Sequence, residues 1–105
     1  MRDNLMLQSE MDEIKWLEEW MRGECDGDWE HCYGIKICTL DNPGWWVRID
    51  LMETNLFGKH FETYANYIDD NNWIHCQVKD NQFDAGGDLS KLKEIINVFK
   101  NWVES

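Results

Sequence analysis

The sequence predicts an α+β domain: a mainly antiparallel β-meander of four to five strands, flanked by an N-terminal and a C-terminal helix. Three observations carry this. Apolar residues recur at three and four near both ends of the chain. They recur at every second position in the middle. Turn-forming residues separate the alternating runs. The 105 residues suit one domain, spanning 1–105, with 43% apolar and 13% aromatic residues, a folding composition.

Residues 10–22, EMDEIKWLEEWMR, place Met11, Ile14, Leu17 and Met21 on one helical stripe, widened by Trp16 and Trp20. Ser9 is the expected N-cap and Gly23 the expected stop. Residues 88–103, DLSKLKEIINVFKNWV, repeat Leu89, Leu92, Ile95, Ile96, Phe99 and Val103 at helical spacing, with Trp102 beside them. Asp88 is positioned to cap this helix, after Gly86 and Gly87 break the preceding segment.

Between the helices, YGIKICT alternates Tyr33, Ile35, Ile37 and Thr39 toward one face. WVRIDL does the same with Val47, Ile49 and Leu51, and WIHCQVK with Ile74, Cys76 and Val78. Asn42-Pro43-Gly44-Trp45 predicts a type II turn, with proline presetting φ and Gly44 taking positive φ. Asp80-Asn81 predicts a second tight hairpin, leading to a short strand over 82–84. Residues 55–71 carry two patterns. Phe61, Tyr64, Ala65 and Ile68 have helical spacing, while the aromatic content and flanking strands favour a strand.

The net charge of −11 disfavours nucleic acid and anionic membrane as partners and favours a basic protein. Residues 10–30 alone hold nine acids against two bases, a net −7. One reading of this charge is a solvated helix face followed by an acidic loop. The other is an electrostatic docking surface, with Glu18, Glu19, Asp26, Asp28, Trp29 and Glu30 as candidate partner-facing residues. No secretion signal or membrane span is evident, which predicts a cytoplasmic address and reduced thiols at Cys25, Cys32, Cys38 and Cys76. No CxxC, HExxH, GxSxG or phosphate-binding glycine loop occurs. His31-Cys32 and His75-Cys76 are adjacent pairs whose side chains diverge on a strand, although His31 and His75 from different strands could meet. In CDGDWE the calcium-loop order fails at Trp29 and Glu30. The expectation is a protein without enzymatic activity, metal or cofactor.

The segments WLEEW, CDGDWEHCYGIKI, TLDNPGWWVRIDL, NWIHCQV and LKEIINVFKNW occur in this order. Together they resemble the immunity protein 53 family of bacterial polymorphic toxin systems. The resemblance runs from about residue 11 to 103 and rests chiefly on GDWEH.YGI and TLDNPGW. Its motif residues here are Trp29, Glu30, Asp41, Asn42, Pro43, Gly44, Trp45 and Trp73. It implies an α+β fold, a cytosolic protein encoded beside a toxin gene, and a cognate protein toxin as partner. It supplies no catalytic residues. Two other functions compete: a peptide- or glycan-binding module using exposed tryptophans, and a small enzyme using His and Cys.

Overall fold

The computed structural model describes the backbone from residue 2 and the side chains from residue 12. The elements run α1 (Arg2–Glu24), α2 (Trp29–Cys32), β1 (Ile35–Leu40), β2 (Gly44–Asp50), β3 (Tyr64–Asp69), β4 (Asn72–Lys79), β5 (Gln82–Gly87) and α3 (Leu92–Val103). The predicted α+β architecture stands. All five strands join one antiparallel sheet in the order β1-β2-β5-β4-β3. Consecutive strands adjoin as in a meander except β2 and β3, which flank the pair β5 and β4. The loop 51–63 crosses over to the far edge, and the β4–β5 hairpin then folds back against β2.

Helix α1 begins well before Ser9, so Ser9 lies inside it rather than capping it. The Met11 side chain, expected on the apolar stripe, is outside the described residues. Helix α3 starts later than expected. Asp88, Leu89 and Ser90 form a turn ahead of it, and Leu89 is exposed rather than on the apolar stripe. Gly86 and Gly87 do not break the chain. They complete β5, opposite Trp46 and Trp45.

The core lies between the sheet and the two long helices. Val47 and Ile49 of β2, Phe83 and Ala85 of β5, and Ile74 and Cys76 of β4 point toward α3, which returns Ile95, Ile96, Phe99 and Trp102. Phe99 is the hub. Trp16 and Trp20 from α1 meet it edge-on, with centroids at 5.9 and 5.1 Å, and Phe83 lies at 5.0 Å. Burying each such ring contributes about 2–3 kcal/mol, and edge-to-face geometry suits the ring quadrupoles.

Two turn expectations meet different fates. Asp80 and Asn81 both take positive φ, 55° and 61°, as a type I′ hairpin requires. Gly44 does not take positive φ. It pairs with Leu40 as the closing pair of the β1–β2 ladder, leaving 41–43 as the loop. Its smallness is needed for another reason: a Cβ there would stand 2.5 Å from the Gly87 carbonyl oxygen. Residues 64–69 form the strand that aromatic content favoured, but every residue of it is exposed. Strand β1 is also an edge. Ile37, expected in the core, remains 41% exposed because no further strand covers that side.

Candidate partner-binding site

The acidic segment separates into charges facing solvent and charges that shape the backbone. Helix α1 carries Glu18 and Glu19 on its exposed side, and Glu19 lies 3.5 Å from Arg22 in a surface pair. At the corner between α1 and α2, the Asp26 carboxylate accepts the N–H groups of Asp28 and Trp29, both at 2.9 Å. Glu30 reaches back to accept the N–H groups of Asp26 (3.0 Å) and Gly27 (2.9 Å). These reciprocal bonds close the loop ahead of α2. The amides of Trp29 and Asp28 pull the Asp26 carboxyl below its ordinary value. The Glu30 carboxyl is likewise lowered, by its own amide first and then by those of Asp26 and Gly27. Asp28 is exposed and makes no such side-chain cap.

Trp29 corrects the expectation of an exposed aromatic. It starts the one-turn helix α2 and is only 3% exposed. Its indole N–H donates to the Met52 carbonyl at 2.9 Å, and its ring packs edge-on against Trp20 and beside Tyr33. An indole needs its polar edge satisfied when buried, and Met52 supplies the acceptor. The local sequence gave no sign of this carbonyl, which lies far along the chain.

The other motif residues gather where the β1–β2 loop meets the start of α3. Asp41, Asn42 and Pro43 are exposed in that loop, whereas Gly44 is buried against Gly87. The half-buried Trp45 donates its indole N–H to the Leu89 carbonyl at 2.9 Å. The Trp73 backbone N–H donates to Asp88 at 2.8 Å, and Lys91 pairs with the same carboxylate at 2.8 Å. Asp88 is nearly buried. Lys91 first, then Ser90, holds its carboxyl well below the usual carboxylate range. These residues fasten two loops and a helix start to one end of the sheet.

Besides the exposed Phe57, Tyr67, Ile68 and Leu89, two surfaces among the described residues gather apolar or aromatic side chains. The sheet face away from the helices carries Trp46, Arg48, Asp84, Trp73 and His75. Arg48 lies 4.1 Å from the Trp46 ring centre, and the Trp46 indole donates to Asp84 at 2.9 Å. The second surface is a groove of about 400 Å³ between α1 and β1. Ile14, Leu17, Met21, Ile35 and Ile37 line it, with Glu18 and Arg22 at its rim. Sequence reasoning missed this groove because its two walls are distant in the chain and each residue was assigned to the core.

Among the described residues, no three His, Cys, Asp or Glu side chains converge as metal ligands. His31 sits in α2, not on a strand beside His75. The thiols of Cys25, Cys32, Cys38 and Cys76 are free. Burial first, and then Glu94, pushes the Cys76 thiol up to about 12, so it does not ionise near neutrality. Among the described residues, no helix is long and apolar enough to cross a membrane.

The fold and these surfaces define a small, strongly acidic α+β protein with an apolar groove and an aromatic sheet face. The family model for immunity protein 53 matches residues 14–104, and the chain belongs to that family. Comparison with curated proteins and with solved structures returns no match. An immunity protein family implies a protein toxin as partner.

Proposed function

We propose that this chain is a cytosolic immunity protein that binds and neutralises a cognate polymorphic toxin domain of basic, nuclease type. Family membership supports the toxin partner. The observation that carries the basic character is the concentration of charge, −7 within residues 10–30, with Glu18, Glu19 and Asp28 facing solvent. Opposed potentials speed encounter and orient the partner, and blocking a basic cleft needs no chemistry from the inhibitor. Asp26 and Glu30 serve the same surface indirectly, by holding the loop that displays Asp28.

The competing glycan-binding reading needs tryptophans free to stack and bond with a ligand. All seven tryptophans are buried or half-buried, and the indole N–H groups of Trp16, Trp29, Trp45, Trp46 and Trp102 already have internal acceptors. That observation favours the protein partner.

The test uses the C-terminal domain of a secreted toxin encoded beside this gene. Reversing Glu18, Glu19 and Asp28 to lysine slows association about tenfold or more at low salt, and the deficit shrinks as ionic strength rises. Co-expression of the wild-type chain rescues growth of cells making the toxin. A triple reversal that stays folded, associates at the wild-type rate in low salt and still protects cells would refute the acidic surface as the steering element.

A further inference from the structure

The outer edge of β1 is chemically incomplete. The Gly34 carbonyl accepts the Asp50 N–H at 3.0 Å, and the register pairs Lys36 with Arg48 and Cys38 with Trp46. Hydrogen-bonded and non-bonded pairs alternate along an antiparallel ladder. Ile35, Ile37 and Thr39 therefore direct their N–H and C=O groups away from β2, to the sheet edge. Among the described residues, the main chains of Ile37 and Thr39 have no partner there. Ile35 and Ile37 stand opposite Ile49 and Val47, so their side chains lie on the helix side. There they form one wall of the groove that Ile14, Leu17 and Met21 complete. Ile14 and Ile37 remain 46% and 41% exposed. Exposed edges are commonly blunted by a bulge or a covering loop. Strand β3, at the opposite edge, has a bulge between Tyr67 and Asp69, whereas β1 pairs in unbroken register.

We propose that β1 is the docking edge for an extended segment of the toxin, which adds a sixth strand to the sheet. The inference rests on the toxin reading above and names the surface that completes the complex. The added strand bonds to Ile35, Ile37 and Thr39, and every second side chain enters the groove. Those side chains are apolar, and a basic residue of the same segment meets Glu18 at the rim. Main-chain bonds give such an addition its affinity, and alternate pockets give its specificity. Charge selects this occupant over a second copy of the chain, since each copy carries −11 and brings its own acidic helix to the edge.

The experiment compares free chain with its complex with the inactivated toxin domain. Amide exchange at Ile37 and Thr39 is fast in the free chain and slows about a hundredfold in the complex. Two variants probe the edge. Ile37→Lys places a charge in the groove. Thr39→Pro removes an outward N–H without touching the β1–β2 ladder. With unchanged far-UV spectra and melting temperatures, both dissociate at least about tenfold faster. Ile68→Lys on the opposite edge binds as wild type. A complex whose Ile37 and Thr39 amides stay unprotected overturns the proposal, even if a variant fails to fold, and so does wild-type binding by both folded variants. Light scattering that finds a dimer of the free chain, dissolved by Ile37→Lys, assigns the edge to a second copy and also overturns it. A wild-type chain that never binds the toxin defeats the toxin reading itself, and this edge assignment with it.

Discussion

At the scale of single residues, the family-motif side chains are largely occupied in building the fold. Trp29 is an example: its ring is buried beneath Trp20, and its N–H is bonded to Met52. Trp29→Ala should cost about 3–5 kcal/mol of stability, by cavity formation and an orphaned carbonyl, in chemical denaturation of the free chain. Loss of toxin binding in that variant then tracks unfolding rather than a missing contact.

Asp88 gives a pH signature. Its folded-state pKa is depressed, so its contribution is fully present above its unfolded value of about 3.9 and is lost as pH falls toward the folded value. Melting temperatures of wild type and Asp88→Asn should differ most near neutrality and converge as the pH drops below about 4. Thiol labelling offers a further check. Cys25, Cys32 and Cys38 are exposed and should react in the native protein, whereas Cys76 should react only on unfolding.

At the scale of elements, helix α3 and strands β2 and β4 were legible because each buries a repeating set of side chains. The turn at Pro43 was legible in place but not in mechanism. Gly44→Ala should destabilise by about 1–3 kcal/mol, since the new methyl meets a backbone oxygen that no rotamer change moves. Pro43→Ala acts only through the unfolded chain and should cost about 1 kcal/mol or less. Denaturation midpoints of the two variants rank these effects, and equal midpoints would contradict the close approach of Gly44 to Gly87. The loop 51–63 was the least legible element. Its Lys59 ammonium bonds the carbonyls of Trp102 and Ser105, at 2.8 and 3.1 Å, at the end of α3. Those acceptors lie more than forty residues away, so no local pattern marks the lysine as a helix cap.

At the scale of the whole molecule, the chain's own residues dictated an α+β domain, the strand-forming runs, the apolar faces of both long helices and an acidic N-terminal third. Each is a local property, expressed in a period of 3.6 or 2 or in a count of charges. Tertiary structure decided the rest. Placing β5 between β2 and β4 made β1 an edge, and that alone turned Ile37 from an expected core residue into the wall of an open groove. The same folding buried Trp29, expected at a surface, and drew Asp26 and Glu30 onto nearby amides. Periodicity reports which face of a strand is apolar. Whether that face and its backbone edge find a neighbour depends on strand order, which is set by contacts between residues far apart in the chain.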